Sequence, residues 1–138
     1  MNVTSLITDN VTELLVKIIE FTKIRQKIII QNINNIHNHG FIPKDLAIHE
    51  FCAVLNNAID EHALNRRLLF YDTKNIKFGS ACRLKVQPKI DEYAKELLEE
   101  NQNEYLELQI DKLLENSLNQ KVAAELLKQK QEMIFDYE

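Results

Sequence analysis

The chain predicts a mainly α-helical protein in which long N- and C-terminal helices pair as a coiled-coil-like bundle, with a shorter helix and a small extended or β element between them. Apolar residues recur at helical spacing near both ends of the chain, and Gly and Pro occur only twice each in 138 residues. So few breakers do not suit a turn-rich β fold. A hydrophobic share of 45% beside 28% charged residues is the composition of a globular chain rather than a disordered one. The length suits one domain. Within it we read three parts: residues 1–40 as an N-terminal assembly helix, 41–88 as a middle insert, and 89–138 as C-terminal helices that form one assembly unit with 1–40.

The first helix is predicted over residues 10–36, a rod of roughly 40 Å at about 1.5 Å rise per residue. Thr8, Asp9 or Asn10 is placed to cap its start, with Glu13 in capping-box position after Asn10, and the nine residues before it read as frayed. Ile7, Val11, Leu14, Ile18, Phe21 and Ile28 form one heptad stripe, interrupted by Arg25, whose charge in such a position can set register between helices. Leu15, Ile19, Ile29, Ile33 and Ile36 make a second stripe, so the apolar face is wider than one partner helix covers. Asn32, Asn34, Asn35 and Asn38 then lower helix propensity, and Gly40 offers a positive-φ exit, which predicts an end near His37.

After Pro43, Asp45 is placed to cap a second helix, DLAIHEFCAVLNNAIDEHAL, with Leu46, Phe51, Val54, Leu55, Ala58 and Ile59 inward. The run RRLLFYDTKNIKF at 66–78 reads as a short hairpin or extended segment around D-T-K-N, and Gly79–Pro88 as a break. Helical spacing resumes from Lys89 with Ile90, Tyr93, Ala94, Leu97 and Leu98, pauses at Asn101–Asn103, and continues over 104–135. There Leu106, Leu113, Leu127 and Ile134 share one heptad position, Ile110, Ser117 and Ala124 the companion position, and Leu114, Leu118, Val122 and Leu126 a further edge. Two helices with over-wide apolar faces predict assembly with further chains. The alternative is that the middle segment folds back over those edges to complete a monomeric bundle.

The net charge of −4, with acidic residues massed in 91–115, argues against a nucleic-acid partner, which needs a basic face. No apolar run is long enough to span a bilayer, and the first twenty residues lack the basic start and continuous apolar core of a cleavable secretory signal. Cys52 and Cys82 have neither CxxC nor zinc spacing and read as free thiols. Enzymatic motifs are missing: there is no G-x-S-x-G, no phosphate-binding Gly loop and no H-E-x-x-H. The literal triplet His37-Asn38-His39 is not the metal-bearing arrangement of the H-N-H nucleases. Gathering His37, His39, His49 and His62 around zinc would need a ligand spacing that the sequence does not spell. We therefore expect no catalytic residues, no cofactor, no metal and no small-molecule substrate.

The segment QNINNIHNHGFIPKDL resembles the signature of the flagellar basal-body rod proteins, of the form NNIAN-x-x-TPGF-x-x-x-DL, and is most similar to the proximal-rod B type. It retains Asn32, Ile33, Asn35, Gly40, Phe41, Asp45 and Leu46, with Asn38–His39 in place of Thr-Pro. The tail YLELQIDKLLENSLNQKVAAELLKQKQEMI resembles that family's closing helix. There Gln109 stands where a carboxylate is usual, and Ile110, Leu113, Asn116 and Leu118 keep the pattern. The likeness runs over about residues 11–134. It implies a structural rod subunit whose terminal helices stack with neighbouring subunits into a hollow rod of the bacterial flagellum. It further implies export, without a cleavable signal, through the flagellar type III apparatus to the periplasmic basal body, where the partners are other copies, other rod proteins and the membrane ring. On this reading the assembly interface draws on Ile7, Val11, Leu14, Ile18, Phe21, Arg25 and Ile28 of the first helix. From the last helix it draws on Ile110, Leu113, Leu114, Leu118, Leu127 and Ile134, while Asn32, Ile33, Asn35, Gly40 and Phe41 form the signature turn. The alternative function is a soluble helical-bundle adaptor that binds a partner helix in an apolar groove.

Overall fold

The computed structural model describes residues 3–79 and 83–136, with side chains described from Asn10 to Glu132 outside that break. The order of elements is α1 (Val3–Asn34), β1 (Lys44–Asp45), α2 (Ile48–Asn65), β2 (Ile76–Phe78), β3 (Leu84–Val86), β4 (Lys89–Ile90), α3 (Glu92–Glu100) and α4 (Gln102–Asp136). The fold is mainly α, and α1 and α4 pack along each other as the dominant pairing. They run antiparallel, because Asn32 near the end of α1 meets Tyr105 and Gln109 near the start of α4, while Thr22 meets Asn116 further along.

α1 begins at Val3, ahead of the expected start near Asn10, and ends at Asn34, after which Asn35–Asn38 form a turn. Gly40 takes φ +81°, the left-handed exit that its lack of a side chain permits. Asp45 does not cap α2. Ala47 holds that position without a side-chain bond, and the Asp45 carboxylate turns back to α1 instead. α2 closes at Arg66 with φ 59°, its N–H donating to the His62 carbonyl, and Asn10 Nδ2 lies 3.1 Å from His62 Nδ1, tying that end of α2 to α1.

The middle segment covers α1. Phe21 and Phe51 stack with ring centroids 3.9 Å apart, and Leu46, Ile76 and Leu84 complete a buried cluster against which Ile18, Ile24 and Ile28 pack. β2 pairs with β3 antiparallel, Ile76 opposite Val86 and Phe78 opposite Leu84. The hairpin therefore closes across Gly79–Arg83, downstream of the D-T-K-N sequence, and Gly79–Pro88 contains a strand rather than a break. Thr73 and Asn75 still form a turn, with Glu50 of α2 accepting from Thr73 Oγ1 at 2.7 Å and Asn75 Nδ2 at 2.6 Å. Leu84 N donates to Glu20 at 3.0 Å, which anchors the hairpin to α1.

α3 is capped by Asp91, which accepts from the Ala94 amide. Asn101 does the same for α4 by accepting from the Glu104 amide at 3.2 Å, so the polar pause read at 101–103 is the joint between the two helices. Ala94, Leu97 and Tyr105 form a second buried cluster there, with Ile36, Leu98 and Leu108 around it.

Candidate functional site

Two features of the α1–α4 pair stand out: a buried polar latch that holds the helices together and an apolar ridge that the pairing leaves uncovered. The latch begins at Asn32, 1% exposed. Its Nδ2 donates to the Lys44 carbonyl at 2.8 Å and to Gln109 Oε1 at 3.0 Å, while its Oδ1 accepts from the Lys44 amide at 3.2 Å. The Asn32 carbonyl accepts from the Tyr105 hydroxyl at 2.9 Å. One asparagine thus joins α1, β1 and α4. A buried amide in such a place is stable because each of its polar atoms has a partner. The last amide of the set is less satisfied, since Gln109 Nε2 is buried without a hydrogen-bond partner.

Two turns back on α1, Arg25 sends Nε to Asp45 Oδ1 at 3.0 Å and Nη2 to Oδ2 at 3.1 Å, the bidentate fork that suits a carboxylate. Lys112 of α4 bridges Asp45 at 3.0 Å and Asp91 at 2.6 Å. The pairing of β1 with β4, Lys44 opposite Ile90 and Asp45 opposite Lys89, sets the two carboxylates side by side for it. Two cations face two anions, which offsets the cost of holding them largely out of water. Burial alone pushes the Asp45 carboxyl up, but the Arg25 fork and the charges of Arg25 and Lys112 outweigh it and hold the group below its ordinary value of 3.8. Further along, Asn116 Nδ2 donates to the Thr22 carbonyl at 2.7 Å.

The facing surface of α4 is therefore Tyr105, Gln109, Lys112, Asn116 and Ala123, a run at helical spacing made mostly of polar side chains. Leu106, Leu113 and Leu127 flank it half-buried. The expected companion position is turned outward: Ile110 lies exposed, as do Ser117 and Ala124. With Leu114, Leu118, Val122 and Leu126, Ile110 forms a continuous i, i+4 ridge whose members are 41% to 64% exposed. Leu118 sits about 160° around the helix from Asn116, so the ridge starts on the far side from α1 and winds slowly back.

The residues read as an assembly interface divide accordingly. Phe21, Ile18 and Ile28 are committed to the core beneath α2 and the hairpin, and Arg25 to the latch. Val11 and Leu14 are half-buried on α1. Leu113 and Leu127 are half-buried, and Ile110, Leu114 and Leu118 are exposed. The side chains of Ile7 and Ile134 lie outside the described residues, as does Cys82; Cys52 is an exposed free thiol. Of the signature turn, Asn32 is buried, Ile33, Asn35 and Phe41 are half-buried, and Gly40 is exposed. Among the described residues no three His, Cys, Asp or Glu side chains are grouped to hold a metal ion, and no helix is long and apolar enough to cross a membrane. Sequence reasoning missed Lys112 and Tyr105 because it searched the last helix for apolar periodicity, and Asp91 because it stands ahead of α3 outside any apolar pattern. The polar run 105, 109, 112, 116 has a helical period of its own, which a search for polar periodicity finds. Compared with known protein families, with characterised proteins and with solved structures, the chain matches none.

Proposed function

We propose that this chain is a non-enzymatic structural subunit of the bacterial flagellar rod, of the proximal-rod B type, that assembles through the outer face of α4. The observation that carries the reading is the convergence of residues that the resemblance singles out far apart in sequence. Asn32 and Asp45 of the signature and Asn116 of the closing-helix pattern lie along one α1–α4 pairing, with Gln109, which stands where that family has a carboxylate, beside Asn32. The ridge supplies the second requirement. Apolar stripes of a few hundred Å² on an otherwise soluble protein mark interaction surfaces, and covering the exposed halves of five such side chains contributes roughly 5 kcal/mol. That is comparable to the lower range of association costs. A pair of subunits would be weak, and an array in which each copy makes several contacts would be stable, which suits a rod.

The role implies passage through the flagellar export apparatus and a place in the periplasmic basal body beside other rod proteins and the membrane ring. The test is Leu118→Asp with Val122→Asp in the native host. Both side chains are at least half exposed, so the hairpin should persist by circular dichroism. Loss of swimming with normal synthesis of the chain is the expected result. Normal swimming would overturn the reading and favour the adaptor.

A further inference from the structure

The β2–β3 hairpin gathers positive charge in a chain whose net charge is −4. Between Lys74 and Lys89 the sequence carries Lys74, Lys77, Arg83, Lys85 and Lys89 and neither Asp nor Glu. All five are exposed. Register fixes where the central ones point. Ile76 and Leu84 are buried, and Phe78 and Val86 pack against the same cluster, so this face of the hairpin is turned to α1. Side chains alternate along a strand, which sends Lys77 and Lys85 to the outer face, directly opposite each other. Arg83 follows the same alternation one residue ahead of β3, with Gly79 across from it.

Like charges directly opposite on an antiparallel pair are destabilising, so folding alone gains nothing from Lys77 facing Lys85. An anionic surface laid over them turns the repulsion into attraction. Among the described residues Lys74, Arg83 and Lys85 join no ion pair, Lys77 Nζ donates to the Thr73 carbonyl at 2.7 Å, and Lys89 lies 3.6 Å from Glu50. Carboxylates do touch the hairpin. Asp72 accepts from the Phe78 amide at 2.8 Å, Glu20 from the Leu84 amide at 3.0 Å and Glu50 from Asn75 Nδ2 at 2.6 Å. These bonds go to the backbone or to the entering turn rather than to Lys77, Arg83 or Lys85. Tyr71, 53% exposed, lies beside β2, because Phe70 stacks on Phe78 with centroids 5.1 Å apart and Asp72 binds the Phe78 amide.

The acidic run of α4 is held elsewhere. Glu20, which accepts from Leu84, and Thr22, whose carbonyl accepts from Asn116 of α4, are two residues apart on α1 and so about 160° around it. Glu104, Glu107, Asp111 and Glu115 of α4 therefore lie across a helix about 10 Å thick, beyond the roughly 8 Å over which charges act through physiological salt.

We infer that the outer face of the β2–β3 hairpin docks this protein on a bilayer surface rich in anionic lipid. The inference is independent of the rod role. A plane of headgroups meets Lys74, Lys77, Arg83 and Lys85 together while α4 stays clear of it, and an exposed tyrosine beside lysines suits the boundary between headgroups and acyl chains. A nucleic-acid strand suits the face less, since three strand residues span about 10 Å and cover only about three phosphates at roughly 3.4 Å spacing. Each cation near an anionic membrane is worth about fivefold in partition, so the attachment is reversible and fades as salt is raised.

The test sediments the full chain with sucrose-loaded vesicles, either of phosphatidylcholine alone or of equal parts phosphatidylcholine and phosphatidylglycerol. Binding is expected to the mixed vesicles only. Lys77→Gln with Lys85→Gln should weaken it by about tenfold or more without lowering the melting temperature, since the change removes a repulsive pair. Lys74→Gln with Arg83→Gln, which leaves the facing pair in place, should weaken it similarly. Lys121→Gln with Lys128→Gln, an equal loss of charge on α4, should leave it unchanged. No binding to either vesicle, equal binding to both, or an equal loss from the α4 pair would overturn the inference. Retention on single-stranded DNA or on polyglutamate without retention on the mixed vesicles would also overturn it, and would assign the face to a nucleic acid or to an acidic protein instead.

Discussion

Asp45 accepts from Arg25, from Lys112 and from the Leu46 amide at 2.7 Å, so its removal strands the buried Arg25 and leaves Lys112 with Asp91 alone. Asp45→Asn keeps the shape and loses the charge. It should lower stability by about 3 kcal/mol, the usual cost of leaving a buried charge without its partner, read as a lower urea midpoint with an unchanged slope. The same group gives the molecule an acid limit. Its carboxyl is held below 3.8 in the folded state, so the unfolded chain binds the proton first as pH falls. The stabilisation is present above the unfolded value and is lost as pH drops through the lower folded one. Thermal melts should therefore show stability falling below about pH 4, and that fall should be shallower in Asp45→Asn. At Gly40 the cost is of another kind. A Cβ there meets nothing within 4 Å, yet φ is +81°, so Gly40→Ala should cost about 1 kcal/mol from backbone strain alone.

Between α1 and α4, two amides that touch should respond differently to truncation. Asn32→Ala leaves the Lys44 amide, the Lys44 carbonyl and Gln109 Oε1 short of partners in a buried place, and should cost about 3 kcal/mol. Gln109→Leu removes one acceptor but also an orphaned Nε2, while Asn32 keeps the Lys44 carbonyl, so the change should stay within about 1 kcal/mol of neutral. Equal losses in urea unfolding would show that the latch is held as much by Gln109 as by Asn32. Tyr105 adds an alkaline limit to the same contact. Burial first and the Asp91 charge second raise its hydroxyl from 10.0 to about 12, so stability is complete below 10.0 and lost as pH rises toward about 12, where the donor to Asn32 ionises. These elements also show what the sequence could and could not tell. Helix periodicity located all four helices, and Asn101–Asn103 located the joint. Periodicity of apolar residues alone assigned Ile110 to the contact and passed over Gln109 and Asn116, because it equates contact with hydrophobicity. The strand partner of Ile76–Phe78 was missed for a related reason: β3 is three residues long, and it is held by its pairing with β2 and by the cluster around Phe21 rather than by a pattern of its own.

Across the whole molecule, anchoring is uneven. From Phe21 to Asn32, α1 is held on one side by α2 and the hairpin and on the other by the latch. In α4 the latch ends at Asn116, and beyond it Ala123 is buried and Gln120, Leu127 and Lys130 are half-buried. Most of Leu118–Glu132 faces outward with its apolar edge in water. Segments with few buried contacts open locally at a free energy far below that of global unfolding. In dilute solution the amides of 118–132 should therefore exchange with deuterium much faster than those of 103–116. If α4 is completed by a neighbouring chain, raising the concentration should slow exchange in the distal segment selectively and leave the latch unchanged. Leu118→Asp with Val122→Asp should abolish that slowing. Uniform protection along α4 in the monomer would instead mean that the hairpin is complete by itself, and that the ridge needs no partner to be stable.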